Sequence, residues 1–187
     1  MQTAVPKGTG GMIAVLGVDI DEINNLLEEN QNNYKCYIAN DNSNGQTVLS
    51  GLNSDIDKFI ETLKVKKIKN IKLPVSAPFH CKLMEKATSI MSEKINNTNF
   101  KKPINLIISN VTASETQEIE QIKDLLIKQI EMPVRWRESV IYMIKNGVTN
   151  FIEIGPGKVL SGLVKRINKE VKINTINNQE DIENLNI

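Results

Sequence analysis

Residues 12–72 alternate between short apolar runs and amphipathic stretches in an order that few folds accept. Residues 12–16 (MIAVL) have strand character. Asp19, Asp21 and Glu22 then open a helix, where negative charge suits the helix dipole, and Ile23, Leu26 and Leu27 give it one apolar face. Asn30 to Asn33 end it. Residues 36–40 (CYIAN) read as a second strand. Residues 41–45 (DNSNG) read as a turn, because Asn, Asp and Gly tolerate left-handed backbone. Residues 46–51 (QTVLSG) read as the paired third strand. Asn53, Ser54 and Asp55 supply capping side chains for a second helix that presents Ile56, Phe59, Ile60 and Leu63. Residues 68–73 close the series as a fourth strand. The order is βαββαβ, the ferredoxin-like split unit.

After Pro74 the pattern changes. Residues 74–80 (PVSAPFH) hold two prolines and cannot be an ordinary central strand. A helix is expected over 82–96, and 104–110 (INLIISN) is apolar enough to predict a strand buried on both faces. Helices near 118–130 and 135–146 follow, with Pro133 close to the start of the second. Strand 150–154 runs into the forced turn Gly155-Pro156-Gly157. A helix over 159–167 and a strand over 171–176 complete a parallel α/β pattern, which with about three strands looks incomplete. Residues 177–187 read as loosely ordered.

Composition narrows the function. With 23 Lys and Arg against 22 Asp and Glu the net charge is +1, which disfavours a nucleic-acid binder working by bulk charge. Two cysteines and one histidine exclude a disulfide scaffold and argue against a zinc site. No apolar run is long enough to predict a membrane span. The chain holds 23 Asn, 26 Ile and 20 Lys but 3 Arg, a bias that AT-rich codons would produce.

His80 is the natural proton-transfer group, and the prolines on either side of Ser76 stiffen its approach. The plainer reading, a partly exposed loop histidine, weighs more on residue pattern alone. A Cys81–His80 nucleophile pair is disfavoured, since neighbours in extended chain point apart. Gly155-Pro156-Gly157-Lys158 fits neither the P-loop nor the dinucleotide fingerprint. Arg135-Trp136-Arg137 reads either as an anion binder or as a helix start with an inward Trp. The run 64–72 (KVKKIKNIK) is basic within a neutral chain, and reads equally as a dock for an acidic partner or as an edge strand guarded by lysine.

Five segments in this order resemble the malonyl-CoA:acyl carrier protein transacylase family: AVPKGTGGMIAVLG at 4–17, NSNGQTVLSG at 42–51, LPVSAPFHCKLM at 73–84, PVRWRESV at 133–140 and EIGPGKVLSGLVKRI at 153–167. The resemblance implies a ferredoxin-like subdomain over 12–73, a connecting segment over 1–11, and over 74–187 the C-terminal part of a hydrolase-like parallel α/β subdomain. It implies Ser–His acyl transfer of malonyl from coenzyme A to the phosphopantetheine thiol of acyl carrier protein, with no cofactor of the enzyme's own and no metal. His80 would be the catalytic base, and the main-chain carbonyl of Gln129 would orient it. Phe79 would favour malonyl over its α-methyl analogue, and Asn42 would face the cleft. Lys66, Lys67, Lys69 and Lys72 would receive the acidic carrier.

The family's Gly-His-Ser-Leu-Gly elbow has no counterpart, since no Gly-x-Ser-x-Gly occurs in the 187 residues. The arginine that pairs the malonyl carboxylate in this family is also lacking. The expectation is therefore a C-terminal portion of the enzyme, inactive alone. Bacterial-type cytoplasm or a plastid stroma is expected, with the codon bias leaning to the plastid. The competing class is a non-catalytic ferredoxin-like binding module.

Overall fold

A computed structural model describes residues 5, 6 and 8–185 of the chain. Strand β1 (Gly10–Leu16), helix α1 (Ile20–Glu29), strands β2 (Cys36–Ser43) and β3 (Gln46–Leu52), helix α2 (Asn53–Val65) and strand β4 (Lys69–Lys72) give the βαββαβ order. They form one antiparallel sheet with strand order β2-β3-β1-β4. Its period-two alternation is apolar on both faces. Ile13, Val15 and Leu49 point to α1 and α2, where they meet Ile23, Leu26, Ile56, Phe59 and Leu63. Tyr34 closes this core, its ring edge-on to Phe59 at 5.3 Å between centroids. On the other face Met12, Ala14, Ala39 and Val48 pack with Leu73 and Phe79.

Two local expectations change. Residues 41–43 belong to strand β2, and the turn is only Asn44-Gly45, with Gly45 at φ 71° where a side chain would resist. Asn53 is not a helix cap: β3 passes into α2 without a loop, so Asn53 is already helical. Its side-chain Nδ2 donates instead to the Gly8 carbonyl at 2.7 Å. The first helix does start as expected. The Asp19 carboxylate accepts from the Glu22 amide at 2.9 Å, a cap worth about 1 kcal/mol.

Beyond Leu73 come a 3-10 turn (Lys82–Met84), helix α3 (Glu85–Asn97), strands β5 (Ile107–Ile108) and β6 (Glu115–Thr116), and helices α4 (Ile119–Lys128) and α5 (Trp136–Lys145). Strand β7 (Asn150–Ile154), helix α6 (Val159–Ile167), strand β8 (Lys172–Ile176) and helix α7 (Gln179–Glu183) follow. Among the described residues β7 and β8 pair in parallel, and β5 pairs only with β6, antiparallel. The expected strand over 104–110 is therefore short and not buried. Ile104 is 95% exposed, and Leu106 and Ile107 are exposed too, because no neighbouring strand among the described residues covers them. The C-terminal stretch expected to be loose contains α7, whose start is capped by the Asn178 side chain accepting from the Asp181 amide at 3.1 Å. Residues 1–4 and 7 of the expected connecting segment, and 186–187 of that stretch, lie outside the described residues.

Candidate active site

The loop from Pro74 to Cys81 is pinned at both ends. Leu73 donates its amide to the Met12 carbonyl of β1 at 2.9 Å. Cys81, 2% exposed, donates its thiol to the Pro78 carbonyl at 3.1 Å, and its own carbonyl accepts from the Met84 amide that begins the 3-10 turn. Between these anchors His80 sits at φ 59°, a left-handed conformation that costs a non-glycine residue on the order of 1 kcal/mol. That backbone turn aims the half-buried imidazole across the fold. His80 Nδ1 lies 2.7 Å from the main-chain oxygen of Gln129.

A carbonyl oxygen carries no proton, so Nδ1 must be the donor in this bond. The neutral ring then keeps its lone pair on Nε2. This is the tautomer that a general base requires, and a main-chain carbonyl holds it where a carboxylate often would. The two residues are 49 positions apart, and the sheet brings them together. Gln129 caps the C-terminal end of α4. A few residues on, the chain docks along the outer edge of β2: the Val134 amide donates to Ala39 O at 2.8 Å, and Val134 O accepts from the Asp41 amide at 2.9 Å. The register of β2 on β3 shifts on either side of Asn40 and Asp41, where this segment joins.

An ion pair clamps the same junction. Arg137 of α5 donates its Nε–H to both oxygens of Asp41 at 3.0 Å, and its Nη2 lies 2.9 Å from Oδ2. The side chains are 24% and 3% exposed. Burial pushes the Asp41 carboxyl above its usual range while the Arg137 bonds pull it back, and the Asp41 bonds in turn raise Arg137. The neighbouring Arg135 pairs with Glu138 through two contacts at 2.8 and 2.5 Å, and its bonds hold the Glu138 carboxyl below the ordinary value. Both guanidinium groups are thus engaged by carboxylates. This clamp was not legible beforehand, because Asp41 reads as a turn residue and Arg137 as part of an anion-binding or helix-starting run.

Phe79 packs on two sides, against Val5, Met84, Ala87 and Ile130 on one and against the β1–β3 face on the other. Asn42 is half-buried on β2 between Asp41 and Ser43. An open cleft of about 320 Å³ includes His80, Lys82, Glu131, Tyr37 and Pro133 in its lining. The lysines are elsewhere. Lys66 and Lys67 end α2, and Lys69 and Lys72 lie on β4, the sheet edge opposite β2. Lys72 pairs with Asp57 at 3.1 Å. Cys81 is not a poised nucleophile, since burial raises its thiol above the usual range.

The chain resembles known proteins over its full length. It is 40% identical over 185 residues to the malonyl CoA-acyl carrier protein transacylase of Bacillus subtilis (strain 168), covering 98% of this chain and 58% of that protein. Its identity to the Staphylococcus aureus (strain MRSA252) enzyme of the same name is 39% over 188 residues, or 100% of this chain and 61% of that one. The crystal structure of malonyl CoA-acyl carrier protein transacylase from Clostridium perfringens superposes with a TM-score of 0.93 at 38% identity, covering 98% of this chain and 58% of that one.

The chain is a homologue of these transacylases along its whole length. No family model matches it. It spans about three fifths of the length of the curated relatives it matches. A solved complex of a malonyl-transacylase with a type II polyketide acyl-carrier protein also superposes, with a TM-score of 0.91 at 33% identity, over 97% of this chain and 59% of that one. The match to these relatives takes in the α/β part of the chain as well as the βαββαβ part. The relatives named here are bacterial and give the plastid expectation no support. Among the described residues no helix is long and apolar enough to cross a membrane.

Proposed function

We propose that this chain carries the histidine half of a malonyl transferase that moves malonyl from coenzyme A to the thiol of acyl carrier protein. The observation that carries the reading is the His80 Nδ1 to Gln129 O bond at 2.7 Å, which leaves Nε2 as base. In this mechanism Nε2 takes the proton of a serine hydroxyl as its oxygen attacks the malonyl thioester carbonyl. The imidazolium then protonates the departing coenzyme A sulfur. In the second half Nε2 takes the proton of the carrier's phosphopantetheine thiol. The sulfur attacks the malonyl ester, and the proton returns to the serine oxygen. The Gln129 carbonyl keeps the ring in one tautomer throughout and meets the imidazolium with a dipole in place of a full charge.

No Gly-x-Ser-x-Gly occurs in these 187 residues, so the serine comes from sequence outside them and the chain alone is inactive. Within this reading residues 12–73 form a ferredoxin-like subdomain set into a hydrolase-like α/β subdomain, and residues 1–11 connect the two. Phe79 bounds the malonyl site, Asn42 faces it, and the Lys66, Lys67, Lys69 and Lys72 edge receives the acidic carrier.

Two assays test this. The purified chain should show no malonyl transfer. Mixed with the serine-bearing N-terminal portion of the Bacillus relative it should gain transfer that His80→Ala abolishes. Transfer by the chain alone, or transfer indifferent to His80→Ala, refutes the reading. In the reconstituted pair Lys66→Glu with Lys69→Glu should weaken carrier binding about tenfold, the order of two lost charge contacts, with little effect on the malonyl-coenzyme A half-reaction. Equal effects on both half-reactions would remove the docking assignment.

A further inference from the structure

One of the places where the loop that carries His80 meets β1 has no side chain on the strand. A Cβ added to Gly10 would lie 2.3 Å from Pro78 Cδ, 2.7 Å from its Cγ and 3.2 Å from its Cβ. Real Cβ atoms do not come that close, and the neighbour is a closed ring, which cannot swing aside as a long flexible side chain would. Pro78 is fully buried, with Ala77 at 0% and Cys81 at 2% exposure on either side of the turn. The Pro78 carbonyl is itself tied down by the Cys81 thiol at 3.1 Å. The ring therefore has no free space to retreat into without carrying the His80 backbone along.

The other half of the pair is referred to the same sheet. Gln129 leads through Pro133 to Val134, whose amide and carbonyl bond Ala39 and Asp41 of β2. One partner is thus set by β1 and the other by β2, two strands joined through β3. A bond of 2.7 Å between groups 49 residues apart tolerates little relative movement of these two seats.

We infer that Gly10 is a positioning residue for His80: its bare Cα is the seat for the Pro78 ring, and that seat sets the imidazole against Gln129 O. The inference deepens the reading of His80 as the base, and it reaches the imidazole through Pro78, without contact to substrate.

The test uses the chain's single histidine, so a sample labelled with 15N-histidine contains one imidazole. Long-range 1H–15N correlation above neutral pH reports which ring nitrogen bears the proton. The wild-type chain should show a protonated Nδ1 and a bare Nε2. Gly10→Ala, folded by circular dichroism, should lose that signature and move toward the opposite tautomer that free imidazole side chains prefer. Gly162→Ala, where an added Cβ meets nothing within 4 Å, should leave the spectrum unchanged.

A folded Gly10→Ala chain with the wild-type ring signature overturns the proposal. If Gly10→Ala does not fold, Pro78→Gly and the double variant decide it. With the ring removed, Gly10→Ala should add no further change to the imidazole spectrum, and an additional shift in the double variant overturns the seat. In the reconstituted enzyme Gly10→Ala should lower kcat at least tenfold, the loss following the loss of the ring signature. The ring spectrum tests the seat whether or not His80 is the base, so the two readings fail separately.

Discussion

Replacing Arg137 by methionine removes the charge that answers Asp41 while keeping most of the side chain's bulk. Three contacts between 2.9 and 3.0 Å are lost, and a carboxylate that is 3% exposed is left without its cation. Removing one member of a buried pair costs about 3–5 kcal/mol, because the remaining charge stays desolvated. For a chain of this size that lowers the melting temperature by roughly 6–20 °C. Asp41→Asn should cost less, about 1–3 kcal/mol, since the stranded guanidinium is 24% exposed and can turn toward water. Replacing both by apolar residues of similar volume should recover most of the loss.

The pH dependence follows from the same carboxylate. Burial already holds Asp41 above its usual value, and losing Arg137 removes a group that lowers it. A carboxyl raised in the folded state destabilises in full above its folded pKa; the penalty shrinks as pH falls below that value and the folded group takes up a proton, and it is gone below the unfolded pKa. The Arg137→Met deficit should thus be largest near neutral pH and shrink on acidification. Urea unfolding followed by the fluorescence of Trp136, the chain's one tryptophan and the neighbour of Arg137, measures it. A deficit below about 1 kcal/mol at pH 7, or one that grows as pH falls, refutes the idea of a desolvated clamp.

Glu138 should behave in the opposite sense. Arg135 holds its carboxyl below the ordinary value, so its contribution is present above the unfolded value and is lost as pH falls through the folded one. Both side chains are more than a third exposed, so the contribution is about 0.5–1 kcal/mol, and between pH 5 and 3 the wild type should lose that much more stability than Glu138→Gln in urea titrations. Iodoacetamide provides a further check. Burial raises the Cys81 thiol and pushes Cys36 up to about 12, so both should label slowly at neutral pH and quickly in urea, whereas rapid native labelling of Cys81 would revive a cysteine nucleophile.

The βαββαβ unit was legible because its signals are local. Leucine and isoleucine spacing in α1 and α2, the Asp19 cap and the glycine of the β2–β3 turn each act within a few residues. The unit's second buried face was only half visible. Met12 and Ala14 read as apolar, yet nothing in their own strand says that Phe79, 65 residues on, covers them. The His80–Gln129 bond shows the same limit more sharply. A proline-stiffened loop announces a held histidine, but the partner is a main-chain oxygen, and every residue has one. Its identity entered through family resemblance, and the distance between the atoms came from the structure.

The segment over 104–110 marks where reading by pattern breaks down, and why. Its apolar run predicts burial on both faces, yet Ile104 is 95% exposed, and on β7 Ile154 is 78% exposed. Hydrophobicity states what a strand gains by being covered, while burial depends on a second segment whose own sequence must supply the cover. Among the described residues β5 finds only the two residues of β6, and β7 only β8, so these strands keep open edges and apolar side chains at the surface. The same physics accounts for the contrast within one chain: β1 lies between two strands of one sheet with helices on one face and Phe79 on the other, and it is buried almost throughout. Residues 104–108 (INLII) are nearly as apolar in sequence as 12–16 (MIAVL). The difference lies in the cover each run finds among the described residues.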